Sequence, residues 1–113
     1  MEHDGNVVIF ITAGTGEEAH KVGQALLEHR AAACVNIAPN ITSIFWWQDK
    51  IETDQENLLI VKTRASRVEE VVRLVKEIHS YEVPEVIAVP IIGGNRDYLE
   101  WIGEEVGQRA KGQ

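Results

Sequence analysis

Apolar positions along this chain switch between two spacings, and each switch marks an element boundary. Residues 6–12 form a continuous β-branched and apolar run, the pattern of a strand covered on both faces. Ala13-Gly14-Thr15-Gly16 breaks that run. Thr15 followed by Glu18 reads as a capping box, in which the threonine accepts from the first helical amides and the glutamate reaches back. Ala19, Val22, Gly23, Leu26, Leu27 and Arg30 then fall at helical spacing, which predicts a helix to about Ala31. A strand begins near Ala33 and is interrupted at Pro39-Asn40. Proline cannot donate to a ladder, so this point is predicted to be a bulge or an edge. The strand resumes over 41–47, turns at Gln48-Asp49-Lys50, and returns over 50–63, ending in Leu58-Leu59-Ile60-Val61.

Ser66 with Glu69 gives a second capping box, and Val68, Val71, Val72, Val75 and Ile78 trace an apolar helical stripe. That helix is predicted to stop by Tyr81, because Pro84 disfavours helix at the residue before it. Residues 85–92 read as a strand whose Pro90 implies an edge or a bulge. Gly93-Gly94-Asn95 is a turn, and 96–108 an amphipathic helix carrying Tyr98, Leu99, Trp101, Ile102 and Val106. The order β-α-β-β-α-β-α predicts an α+β, ferredoxin-like βαββαβ fold with a long β-hairpin and an extra C-terminal helix, one domain over residues 1–113.

The hairpin carries the strongest single implication. Phe45, Trp46 and Trp47 are consecutive, and successive strand residues point to opposite faces, so Trp46 faces away from its two neighbours. Large aromatics on both faces of an overhanging ribbon need covering, and in a short chain a second copy of itself is the natural cover. An obligate oligomer is expected.

Composition narrows the function classes. With 113 residues the chain fits one domain, and 44% hydrophobic content supports a packed core. A net charge of -7 supplies no basic field for nucleic acid or an anionic membrane. Cys34 is the single cysteine, which excludes an internal disulfide and fits a reducing compartment. No apolar stretch reaches the roughly 18 residues of a membrane span, and the opening residues lack the pattern of a signal peptide. The expected location is the cytoplasm, without a membrane partner.

Signatures of catalysis are absent. Gly14-Thr15-Gly16 is not followed by the Gly-Lys-Ser/Thr of a phosphate loop. Glu17 and Glu18 stand where an acylphosphatase on this topology would cradle a phosphate. Cys34 and Lys62 are the two groups an enzyme would use, and a rapidly alkylated Cys34 would be its mark. The four histidines are scattered: His3 near the start, His20 and His29 nine residues apart on the first helix, and His79 at the end of the second. His79, beside Tyr81 and Glu82, is the best candidate metal ligand, and one chain does not assemble a closed site by itself. A site shared between subunits is left open.

Five segments together resemble one family. Ala32-Ala33-Cys34-Val35-Asn36-Ile37, Ser43-Ile44-Phe45-Trp46-Trp47, Leu58-Leu59-Ile60-Val61-Lys62-Thr63, His79-Ser80-Tyr81-Glu82-Val83-Pro84-Glu85 and Tyr98-Leu99-Glu100-Trp101-Ile102 closely resemble the CutA divalent-cation tolerance proteins, from about Val7 to Ile102. The resemblance implies a ferredoxin-like subunit in a tight homotrimer, similar in organisation to the PII signalling proteins. In that arrangement the hairpins reach neighbouring subunits, with Phe45, Trp46 and Trp47 in the trimer packing. It further implies a non-enzymatic role in tolerance of, or response to, Cu(2+) and other divalent cations. Copper ligands in some bacterial relatives are a cysteine in the first strand and two adjacent histidines after the second helix. The corresponding positions here are Ile11, Ile78 and His79, so only His79 matches. Clefts between subunits in the family gather polar residues near the hairpin, and Cys34, Glu56, Lys62, Tyr81 and Tyr98 are the corresponding candidates. The competing expectation is a structural or signalling trimer that acts through protein partners without metal.

Overall fold

β1 (Asn6–Ala13), α1 (Gly16–Glu28), β2 (Cys34–Trp47), β3 (Lys50–Arg64), α2 (Val68–Ile78), β4 (Val86–Pro90) and α3 (Arg96–Val106) follow one another along residues 4–107, the part of the chain that the computed structural model describes. His3 and the expected end of the last helix at Gln108 lie outside those residues. The strands form one antiparallel sheet in the order β2-β3-β1-β4. That is the ferredoxin-like α+β arrangement, with the long hairpin and the extra helix in place.

β1 is interior to the sheet, and its side chains divide between two faces. Val7, Ile9, Ile11 and Ala13, with Leu59 and Val61 of β3, are buried against Ala19, Val22 and Leu26 of α1 and Val71, Leu74 and Val75 of α2. Helix and sheet approach closely at Gly23, where a Cβ would lie 3.3 Å from a methyl of Val35. Residues sharing the second face follow from the register: Val8 and Phe10 of β1, Ile60 and Lys62 of β3, Cys34 and Asn36 of β2, and Ile87 and Val89 of β4. α3 lies against one end of this face. There Gly103 abuts the Arg64 guanidinium, and Ile102 and Val106 are buried apart from the main core. Ile87 and Val89 remain exposed.

Beyond the pair Ala13↔Asn57, β1 ends, and β2 and β3 continue as a two-stranded ribbon from Ile41↔Glu56 to Trp47↔Lys50. Gln48 and Asp49 close it with φ of 50° and 66°, the positive values that a twisted two-residue hairpin turn requires. Pro39-Asn40 is the expected bulge. The register shifts between Ala38 and Ile41, and Asn40 takes φ 60°. Cross-strand pairing sets Ile44, Trp46 and Ile51 on one face of the ribbon and Phe45 and Trp47, opposite Glu52 and Lys50, on the other. In the single chain Ile44, Trp46 and Ile51 are 68%, 72% and 63% exposed. The ribbon contributes to a longest dimension of 45 Å against 28 and 25 Å for the other two.

Both helix starts differ in detail from expectation. Thr15 caps α1 by accepting from the Glu18 amide at 3.0 Å, but the Glu18 carboxylate does not complete the box. It accepts instead from the amide and hydroxyl of Ser80. Ser66 does not cap α2 at all. It sits in a short 3-10 turn (Ala65–Arg67), and its amide and hydroxyl donate to the Asp4 carboxylate at 2.9 and 2.7 Å. β4 is also shorter than the 85–92 run, and its edge position accommodates Pro90. α1 ends at Glu28, where Arg30 turns to φ 56° and the Ala31 amide closes on Leu26.

Candidate functional site

Four chain segments meet where β1 stops. They are the end of β1 at Thr12 to Gly14, the first turn of α1, the segment leaving α2 at His79 to Tyr81, and the root of the hairpin at Glu56. α2 ends because His79 leaves helical conformation (φ -68°, ψ 142°) while its amide still bonds Val75. The imidazole is thereby carried against the end of β1, and its side chain is fully buried. Its Nε2 donates to the Thr12 carbonyl at 2.7 Å. Its Nδ1 lies 3.1 Å from the Tyr81 amide, which donates to it, and 3.0 Å from a Glu18 oxygen. Both ring nitrogens of His79 therefore have partners inside the chain.

The Tyr81 ring packs 4.6 Å from the imidazole, and its hydroxyl donates to Glu56 at 2.8 Å. Glu56 is buried, and the phenol is its hydrogen-bond donor. Gly14 makes room for this contact: a Cβ there would stand 3.1 Å from the Tyr81 hydroxyl oxygen. Burial, the bond to Glu56 and the negative charges of Glu56, Asp54 and Glu18 push the Tyr81 phenol up to about 12. No lysine or arginine is ion-paired with Glu18, Glu56 or Asp54 among the described residues. The result is an acidic basin whose protein partners are neutral donors and one histidine.

The five residues expected to share a cleft separate into two groups within one chain. Glu56 and Tyr81 belong to the basin. Cys34, Lys62 and Tyr98 gather on the second face of the sheet. Lys62 is directly opposite Cys34, with its Nζ 4.0 Å from the sulfur, and it donates to the Asn36 amide oxygen. Tyr98 reaches the sulfur from α3, and burial followed by that hydrogen bond raises its phenol. Ile11 is fully buried in the core, and Ile78 packs against it. His20 is exposed, and His29 bonds the Ala25 carbonyl of its own helix. Among the described residues no three potential ligands cluster closely enough to hold a metal ion. No helix among them is long and apolar enough to cross a membrane.

Sequence reading missed Glu18, Ser80, Asn36 and Gly14. Glu18 carried a signal, a carboxylate one turn into a helix, but capping accounted for it. Gly14 carried none beyond a strand-to-helix break.

Residues 7–105 match the family model described as CutA1 divalent ion tolerance protein. A chloroplastic CutA 1 from Oryza sativa is 45% identical over 97 residues, covering 86% of this chain but 55% of that protein. The divalent-cation tolerance protein CutA of Thermus thermophilus is 47% identical over 100 residues, covering 88% of this chain and 97% of that one. The crystal structure of the rice CutA1 superposes with a TM-score of 0.89 at 42% identity, covering 93% and 96% of the two chains. That of the Thermus protein gives 0.88 at 46% identity, covering 90% and 99%. A structure described as a periplasmic divalent cation tolerance protein CutA from Archaeoglobus fulgidus gives 0.87 at 48% identity, covering 89% and 98%.

Proposed function

The chain belongs to the CutA1 divalent ion tolerance family, and from that premise we propose that it works as a homotrimeric, non-enzymatic metal-response protein. Each subunit supplies an acidic basin for Cu(2+) or another divalent cation, completed by the hairpin of a neighbouring copy. The observation that carries this reading is the basin itself. Glu56 accepts from the Tyr81 hydroxyl, and the charges of Asp54 and Glu18 add to the same negative field. Among the described residues no lysine or arginine is ion-paired with them, so added positive charge would be favoured there. Ser80, next to His79, holds Glu18 in place by donating its amide and hydroxyl to that carboxylate. The exposed Ile44, Trp46 and Ile51 supply the apolar surface by which a neighbouring subunit would close the site. The single thiol favours a reducing compartment, in this reading the cytoplasm, with no nucleic acid or membrane among the partners.

Calorimetric titration with Cu(II) and Zn(II), on the wild type and on Glu56→Gln and Glu18→Gln, tests the assignment. Saturable uptake weakened at least tenfold by either substitution is the expected result. Equal uptake by all three proteins would move the cation away from the basin. Absence of any saturable uptake would favour the second reading, a structural or signalling trimer working through protein partners. That reading draws on the internal engagement of both His79 nitrogens.

A further inference from the structure

The second polar group contains a pair of nucleophiles that the metal reading does not use. Cys34 and Lys62 are directly paired residues of β2 and β3, on neighbouring strands where opposed Cβ atoms lie about 5 Å apart. The Lys62 amine is 4.0 Å from the Cys34 sulfur and is held there by the Asn36 amide oxygen. That oxygen also lies 3.9 Å from the sulfur. In the single chain Cys34 and Lys62 are half-buried, while Asn36 and Tyr98 are exposed. Cys34 is the only cysteine. Once oxidised, it finds no second thiol in its own chain, and the nucleophile within reach is the lysine amine.

We propose that Cys34 and Lys62 form a peroxide-responsive covalent switch, in which oxidation closes a sulfur–nitrogen bond across β2 and β3. In the first step a sulfur electron pair attacks one oxygen of hydrogen peroxide. A sulfur–oxygen bond forms and the oxygen–oxygen bond breaks. The departing hydroxide takes the thiol proton, leaving a sulfenic acid and one water. In the second step the Lys62 ammonium gives one proton to water, and the freed amine attacks that sulfur. A sulfur–nitrogen bond forms, the sulfur–oxygen bond breaks, and hydroxide leaves with an amine proton as a second water. Sulfur is oxidised by two electrons, which the peroxide accepts. Asn36 keeps the amine beside the sulfur. Closure staples β2, an edge strand, to its neighbour and removes the Lys62 charge. A dithiol reductant reverses it: one thiol attacks the sulfur and releases the amine, and its second thiol then displaces Cys34 from the mixed disulfide, closing the reductant's own disulfide.

The test treats the assembled wild-type protein with one equivalent of hydrogen peroxide, then denatures it without reductant for intact-mass and peptide analysis. The expected product has lost two hydrogen atoms and its one alkylatable thiol. It yields a peptide linked through Cys34 and Lys62, and dithiothreitol restores the starting mass. Lys62→Gln, folded like the wild type by circular dichroism, should give no such link and should gain oxygen at Cys34. The proposal is overturned if wild-type Cys34 gains oxygen atoms or forms a disulfide between chains. An unmodified wild type overturns it as well. The wild-type product decides the matter by itself, so a variant that fails to fold does not shield the idea.

Discussion

Tyr81 shows how one side chain ties the candidate site to the fold. Its phenol is raised from an ordinary value near 10 to about 12 by burial, the bond to Glu56 and surrounding carboxylates. The folded protein therefore holds this proton more tightly than the unfolded chain does. The stabilisation is complete below pH 10 and is lost as pH rises from about 10 to about 12. Alkaline difference spectroscopy should show a late-titrating phenol that Tyr81→Phe removes. Chemical unfolding should show a shallower decline of that variant's stability across the same window. Gly14→Ala should act on the same contact from the other side. Its methyl would crowd the hydroxyl, which must shift by a few tenths of an ångström and so weaken its bond to the buried Glu56, at a cost of up to about 1 kcal/mol in urea denaturation. Tyr81 and Glu56 were reached through the family resemblance, which implies polar residues gathered near the hairpin. Glu18 was not, because a carboxylate that completes a helix cap and one that reaches the end of another helix have the same local pattern.

Among elements, α2 separates what sequence reveals from what it hides. Its apolar stripe places Val71 and Val75 in the core as read, and the break before Pro84 ends it near the expected point. Its start is stabilised from 62 residues away, by Asp4 accepting from Ser66. No local pattern reports such a partner. Asp4→Ala should lower stability by about 1 kcal/mol, as loss of a helix-start acceptor does, read as a shift in the urea midpoint. Burial acts to raise the Asp4 carboxyl, but the Ser66 hydrogen bonds and the charges of Arg64 and Arg67 hold it below its usual 3.8. Its contribution is therefore present above pH 3.8 and declines as pH falls through the lowered value, and the Asp4→Ala deficit should shrink with it. Strand content was the more readable part. The unbroken run of β1 matches its place between β3 and β4, and both interior prolines fall on edge strands.

For the whole molecule, the central claim is that this chain is one part of a three-chain assembly. Alternating aromatics made the overhanging ribbon legible, because period-two geometry leaves Trp46 no way to share a face with Trp47. Pairing of the distant polar residues was not legible, since it depends on how α3 and the end of α2 fold back over the sheet. The exposed Ile44, Trp46 and Ile51 form an apolar face that none of the described residues covers. Trp47, on the opposite face, is also exposed in the single chain, so Trp47→Ala should cost roughly 3–5 kcal/mol only through an assembly that buries it. The most direct measurement is sedimentation equilibrium at micromolar concentration on the wild type and on Trp46→Asp. The account predicts a mass of three chains for the wild type and dissociation toward single, still folded chains for the variant. A wild-type mass of one chain, with Trp46→Asp sedimenting identically, would contradict it.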